Sequence, residues 1–255
     1  LYKIYPKTLF IGQIVKYLPS CQSTNDEAAI LIAQNDPAEG TLVVTDNQTA
    51  GRGQRGNVWE AKAAQNLTFS LILKPSFLSA TEQFWLNMAI SLGIYDTLSP
   101  LIGSDLRIKW PNDIYVGNRK LGGILIENIL HGYSIAWSVA GIGLNINQTE
   151  FTYPTATSLQ QEAPLSENYH LPGVLSSLSE KIESRYLQLR ANQRENLKVN
   201  YLQTLYRYQE EAPFESNGEL FRGSIVGVDT LGRLSIAVGG ELRYFGFKEV
   251  SFVND

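Results

Sequence analysis

Arginine meets phosphate and carboxylate oxygens with a planar fork of donors, and lysine brings a compact charge on a flexible stem. Two stretches of the chain set such cations among glycines. The first is Gly51-Arg52-Gly53-Gln54-Arg55-Gly56-Asn57-Val58-Trp59. Closely spaced glycines let a backbone approach a ligand and present its N–H groups. Arg52 and Arg55 can neutralise an anion there, and Trp59 offers a flat apolar face to a base or ring. Read alone, the stretch fits a basic loop over a buried tryptophan equally well. It lacks the Lys-Ser/Thr ending of a P-loop and does not open a helix as a dinucleotide fingerprint does.

The second stretch is Lys109-Trp110-Pro111-Asn112-Asp113, followed by Lys120-Leu121-Gly122-Gly123. A turn between them places Lys109 and Lys120 on either side of one phosphate; two surface lysines and a structural proline are the plainer alternative. Gly141-Ile142-Gly143-Leu144-Asn145 puts two glycines in an apolar strand, the mark of a ligand passing close or of a β-bulge. Ser23-Thr24-Asn25 stands at a helix start, where hydroxyls and free N–H groups hold a polar ligand or simply cap the helix. Cys21 is the only cysteine, and His131 and His170 are the only histidines. Disulfides, thiolate metal clusters and multi-histidine sites therefore have no material.

The elements that must position these groups follow from pattern. Thr24–Asn35 reads as a helix with capping-box spacing between Thr24 and Glu27. Thr41–Asp46 and Asn66–Lys74 read as strands, separated by the long polar loop Asn47–Gln65. That loop is expected to close over a bound ligand. Ser79 and Glu82 cap a helix carrying Phe84, Met88, Leu92 and Tyr95 on one face. A short strand at Leu106–Trp110 and a turn tipped by Gly117-Asn118 precede two strands, Ile124–Leu130 and Tyr133–Asn147, joined at His131-Gly132. One later helix carries Leu171, Leu175, Leu178 and Ile182, and the next Leu197, Tyr201, Leu205 and Tyr208. Beyond Glu210 the pattern changes to short alternating runs split by glycines. The break is placed at Pro213–Asn217, giving a first unit of residues 1–212 and a small all-β unit of residues 213–255. The first unit mixes strands and helices without regular alternation, so its class is α+β.

At 255 residues the chain can bury a substantial core. A formal net charge of −4 leaves no general basic field for a polyanion, so phosphate chemistry needs a local cluster of cations. Leu1–Ser20 lacks the features of a secretory signal, and no apolar run is long enough to span a bilayer. A cytoplasmic setting and no membrane association are expected. About 20 residues precede Ser23, too few for a helix-turn-helix, so specific DNA binding is not expected.

Taken in chain order, Ser23-Thr24-Asn25, Gln48-Thr49-Ala50-Gly51-Arg52-Gly53-Gln54-Arg55-Gly56, Lys109-Trp110-Pro111-Asn112-Asp113, Lys120-Leu121-Gly122-Gly123-Ile124-Leu125 and Gly141-Ile142-Gly143-Leu144-Asn145 resemble the biotin–protein ligases, in the form without an N-terminal DNA-binding domain. Gly223–Asp229 and Lys248–Phe252 look like that family's small C-terminal SH3-like β-barrel. The resemblance implies a mixed β-sheet with packed helices, as in biotin–lipoate ligases and class II aminoacyl-tRNA synthetases. It implies ATP-dependent formation of biotinyl-5'-AMP and transfer of biotin to a lysine of a biotin carboxyl carrier protein, such as that of acetyl-CoA carboxylase. It assigns Arg52, Lys109 and Lys120 to the reacting centre. Ser23, Thr24, Gln48, Gly51, Arg52, Lys120, Gly122, Gly123 and Gly141 would bind biotin. Arg52, Arg55, Trp59, Lys109, Asn112, Lys120, Ile142 and Asn145 would bind ATP and the adenylate. Asp113 would face Mg²⁺. Homodimers occur among such proteins. Gln54 and Asn57 stand where many members carry basic residues, and neither is given a phosphate role.

Overall fold

The structure is a computed structural model that describes residues 2–53 and 58–253. Seven strands form one mixed sheet: β1 (Val15–Cys21), β2 (Leu42–Gln48), β3 (Leu67–Leu73), β4 (Leu106–Lys109), β5 (Asp113–Val116), β6 (Arg119–His131) and β7 (Ser134–Leu144). Their spatial order is β1-β2-β3-β7-β6-β5-β4. β1 and β2 run parallel, and every other neighbouring pair runs antiparallel. Five helices accompany the sheet: α1 (Thr24–Asn35), α2 (Phe84–Ile102), the single turn α3 (Leu159–Glu162), α4 (Leu171–Arg190) and α5 (Arg194–Gln203). A second, antiparallel sheet holds β8 (Glu211–Ser216), β9 (Glu219–Val228), β10 (Leu234–Val238), β11 (Glu241–Phe245) and β12 (Ser251–Phe252), in the order β11-β10-β9-β8-β12. The expected α+β class and the small all-β unit are both present.

Strand β3 shows how the sheet separates core from cleft. All seven of its residues are buried, yet a strand sends successive side chains to opposite faces. Leu67, Phe69, Leu71 and Leu73 enter the main apolar core, which also holds the buried side chains of α2 and α4. Ile72 joins Ala28, Val43 and Val139 in a smaller cluster under α1. Thr68 and Ser70 share that second face, where the helix leaves the sheet uncovered and the cleft opens.

Several segments depart from the sequence expectation. Helix α1 spans the expected residues, but its N-cap is Ser23, and Ser23 makes no side-chain capping bond. The Thr24–Glu27 capping box therefore does not form. The Ser79–Glu82 box does form, on a 3₁₀ turn that leads into α2. Helix α5 stops at Gln203, so Leu205 and Tyr208 lie in turns. Leu205 is nevertheless buried, because Ile108 and Leu205 bridge β4 to that turn. Pro213–Asn217, read as a break, falls largely within β8. Pro213 lacks a donor, but its carbonyl still accepts from the Val253 N–H at 3.2 Å, so a strand accommodates it.

Behind β4 the two sheets are locked together. The Trp110 indole N–H donates to the Gly232 carbonyl at 2.9 Å, and its ring lies 5.4 Å from Phe247. Tyr206 and Phe252 meet at 5.8 Å. The second sheet is thereby fixed beside the cleft. Among the described residues, no helix is long and apolar enough to cross a membrane.

Candidate active site

A cleft of about 220 Å³ opens where the N-terminus of α1 meets the central strands. Its floor is set by register. Gly123 on β6, Gly143 on β7 and Thr68 on β3 lie side by side, and so do Leu125, Gly141 and Ser70. Gly123, Gly141 and Gly143 all line the cleft, and their missing side chains hollow a trough across a sheet that larger residues would fill. A Cβ at Gly141 would press on the Asn25 carboxamide, 3.0 Å from its Cγ. A Cβ at Gly143 would stand 2.6 Å from Trp59 Cζ2. Gly122 has the opposite phase. Its Cβ would strike the Gly143 carbonyl oxygen at 2.6 Å and the core side chain of Leu144, so the structure places it beneath the cleft, outside the lining.

One end of the trough is polar and ordered. The Gln48 carboxamide oxygen accepts from the Thr24 backbone N–H at 2.8 Å and from its hydroxyl at 3.1 Å. Gln48 thus takes over the capping that Ser23 does not provide. The Ser70 hydroxyl lies 2.8 Å from the Thr24 hydroxyl and 2.6 Å from Asn25 Oδ1. The Asn25 amide in turn donates to Glu127 at 2.6 Å. Ser23, Thr24 and Asn25 are all buried, so a polar ligand meets preset donors and acceptors here. Trp59 walls the trough over Gly143, and its buried Nε1 has no hydrogen-bond partner among the described residues. Gly51 lets the loop fold back, because a Cβ there would meet the Trp59 carbonyl oxygen at 2.5 Å and Gln48 Nε2 at 2.8 Å. Arg52 and Val58 close this fold as an isolated antiparallel bridge.

The charge lies at the other side. Arg52, Lys120 and Lys248 line the cleft with a single carboxylate, Asp113, among the described residues. A chain of net charge −4 thus concentrates cations at one point. Lys120 holds Asp113 at 2.6 Å, while Asn112 and Ile124 add to the same wall. Arg52 is held by Asp26 at 2.7 Å and Glu127 at 3.5 Å. The hydrogen bond to Asp26 pushes the Arg52 pKa above its ordinary value, so the guanidinium stays charged. Both acids lie outside the lining and stay 44% and 48% exposed, so the pairs are loose enough to exchange for a ligand.

The structure brings Ser23, Thr24, Gln48, Arg52, Trp59, Asn112, Asp113, Lys120, Gly123, Gly141 and Ile142 around one cleft. Lys109 is not among the lining residues, but it stands near enough to Asp113 and Lys120 to feel both charges. Its ammonium sits over Tyr115 at 4.4 Å, Phe252 at 5.0 Å and Tyr206 at 5.5 Å. Burial in this aromatic box lowers its pKa against the opposing pull of Asp113. Lys109 and Asp113 are directly opposed on β4 and β5, so their side chains leave the same face of the sheet; Asp113 lines the cleft, and the longer Lys109 side chain lies over the rings of Tyr115, Tyr206 and Phe252. Asn145 is buried just beyond the trough, donating to the Thr157 carbonyl while its Oδ1 has no partner. Arg55 lies outside the described residues, as does part of the loop expected to close.

Sequence reasoning missed Thr68, Ser70, Glu127 and Lys248 as parts of the site. Thr68 and Ser70 did carry a signal: they are the alternate polar residues of the otherwise apolar run Leu67-Thr68-Phe69-Ser70-Leu71-Ile72-Leu73. Glu127 and Lys248 carried none, because only the fold brings them near.

Comparison with known proteins identifies the family. Residues 17–146 match the model of the biotin/lipoate A/B protein ligase family. The bifunctional ligase/repressor BirA of Bacillus subtilis is 37% identical over 186 residues, which cover 71% of this chain and 56% of BirA. The chain thus spans about half the length of that relative. The biotin–[acetyl-CoA-carboxylase] ligase of Mycobacterium tuberculosis is 30% identical over 226 residues, 86% of this chain and 81% of that protein. The fold matches that of the biotin protein ligase from Aquifex aeolicus in complex with biotin and ATP, with a TM-score of 0.78, 23% identity, and coverage of 95% of this chain and 100% of that one. The chain is therefore a member of the biotin/lipoate A/B protein ligase family.

Proposed function

We propose that this chain is an ATP-dependent biotin–protein ligase. The supporting observation is the cleft itself: a narrow glycine-floored trough with a preset polar end and a cluster of cations around one carboxylate. The ureido ring of biotin meets Ser23, Thr24 and Gln48. Its apolar body lies over Gly123 and Gly141, and its carboxylate reaches Arg52 and Lys120. Adenosine lies by Trp59 and Ile142, with Asn112 and Asn145 as polar partners.

The reaction has two steps. The biotin carboxylate oxygen attacks the α-phosphorus of ATP, forming an acyl–phosphate bond and expelling pyrophosphate. The deprotonated ε-amine of a carrier lysine then attacks the carbonyl carbon, forming an amide and releasing AMP. A carboxylate and a triphosphate repel each other, so Arg52 and Lys120 must neutralise both as charge moves onto phosphate oxygens. The Gly51–Trp59 loop would shield the adenylate from water. Asp113, the one lining carboxylate among the described residues, would hold an Mg²⁺ ion that enters with the phosphates. That ion would add positive charge at the phosphates. Lys109 supports this end indirectly, by anchoring β4 to the second sheet. The natural acceptor is read as a biotin carboxyl carrier protein in the cytoplasm, and no specific DNA binding is assigned to these residues.

Mass spectrometry of a biotin carboxyl carrier domain incubated with the protein, ATP and biotin tests the reading. Addition of one biotin to one lysine is expected. Addition of lipoate but not biotin would assign the cleft to the other branch of the family.

A further inference from the structure

Among the described residues, the second unit contributes one residue to the cleft lining, Lys248, from the turn between β11 and β12. We propose that Lys248 is a phosphate-binding residue for the triphosphate of ATP. The proposal rests on the ligase reading above and adds to it a cation from the second unit.

Three observations meet at this lysine. The first is placement. Lys248 follows Phe247, which packs on Trp110 at 5.4 Å and on Phe84 at 6.1 Å. Lys248 thus enters the cleft on the side of Pro111, Asn112 and Asp113, the side that also holds Lys120. The second is backbone. Lys248 adopts a φ of 66°, the left-handed region where glycine is the usual occupant. The turn is held in that shape from outside. Glu249 accepts from the Gly246 N–H at 2.6 Å, and its carbonyl accepts from the Ser216 hydroxyl at 2.6 Å. A long charged side chain is therefore kept at a position where glycine would be easier. The third is charge. Lys109 is enclosed by three rings and does not line the cleft. Arg52 and Lys120 together exceed Asp113 by a single charge, and a triphosphate carries several. Lys248 is a third cation lining the same cleft.

The arrangement gives Lys109 a defined part as a positioning residue. Its box includes Phe252 of β12, so it helps hold the second sheet at the distance from which Lys248 reaches the cleft.

The test uses the full chain with Lys248→Ala, Lys248→Gly and Lys248→Arg. ATP alone and biotin alone are titrated by calorimetry, and biotin-dependent exchange between pyrophosphate and ATP is followed. Loss of a charge-assisted contact should weaken ATP roughly ten- to hundredfold in the alanine and glycine variants. Biotin binding should stay unchanged, and arginine should restore most of the ATP affinity. Lys248→Gly relieves the left-handed backbone, so its melting temperature should match or exceed that of the wild type, which separates a lost contact from a damaged fold. Wild-type ATP affinity in Lys248→Gly overturns the assignment, as does equal weakening of biotin and ATP. Failure of the ligase reading looks different, because the wild-type protein would then show no biotin-dependent exchange whatever the lysine does.

Discussion

Gly143→Ala adds one methyl group to the floor of the cleft, and its consequence can be followed atom by atom. The new Cβ would stand 2.6 Å from Cζ2 and 2.8 Å from Nε1 of Trp59, well inside ordinary contact. Strand β7 is hydrogen-bonded on both sides, to β3 and to β6, so the strand does not yield. The indole belongs to a loop and does. It must retreat by about 1 Å, and misplacements of that size cost up to 10²-fold at a positioned site. Overpacking a core costs about 1–3 kcal/mol, and the loop neighbour puts this variant near the lower end. A base stacked on an aromatic ring gains about 1–3 kcal/mol, so ATP affinity should fall by roughly 5- to 150-fold. Biotin affinity should hardly change, because the ordered polar end lies on Thr24, Gln48 and Ser70. Calorimetric titration of each ligand reads both outcomes. A double-mutant cycle sharpens the test: with Trp59→Ala the methyl has no ring to displace, so adding Gly143→Ala should cost less than about 0.5 kcal/mol of ATP binding. The reasoning fails if Gly143→Ala weakens ATP equally in both backgrounds, or weakens biotin alone.

Other expectations follow from the same geometry. Gly122→Ala meets the Gly143 carbonyl instead of a loop side chain, so it should cost stability, about 1–3 kcal/mol in chemical denaturation; a variant as stable as the wild type would contradict the register argument. Ser70→Ala removes the donor to Asn25 Oδ1 at a buried site. It should cost about 1–3 kcal/mol, shared between stability and biotin affinity, and wild-type values of both would refute its role. Arg52→Ala should slow adenylate formation by about 10²–10³-fold, measured by pyrophosphate release. Its exposed pairs with Asp26 and Glu127 are worth at most about 1 kcal/mol, so the fold should survive. Lys109 gives a pH signature. Burial lowers its pKa below the ordinary 10.5, so between the lowered value and 10.5 the unfolded chain binds the extra proton and stability rises with pH. Measured against Lys109→Met, which removes the titration, the wild type should gain stability as pH rises toward the ordinary lysine value. A flat or falling difference would show that Lys109 is not desolvated.

Much of the site was legible because local chemistry demands particular residues. Gly141 and Gly143 in an apolar strand announce a close approach, and they do floor the cleft. The turn at Gly117-Asn118 brings Lys120 back beside Asp113, as the spacing suggests. Where the reading slipped, a tertiary choice had overridden a local rule. Thr24 has capping-box spacing, yet Gln48 from another strand takes its N–H. Tyr208 continues a helical stripe, yet the helix ends at Gln203 and Tyr208 bridges instead to Ile225 in the second sheet.

The sequence by itself determined the α+β class, the small all-β unit, the glycine positions and the cations available for anion chemistry. These depend on backbone freedom, hydrophobic period and residue type, all of which are local properties. Only the tertiary structure decided which cations meet. Lys109 and Asp113 are four residues apart and directly opposed on one face of the sheet, yet one ends among aromatic rings and the other lines the cleft. Lys248 lies more than a hundred residues from Lys120 and lines the same cleft. Where a side chain ends depends on its length and on what packs against it, and that is settled when the second sheet docks against β4 through Trp110, Phe247 and Phe252.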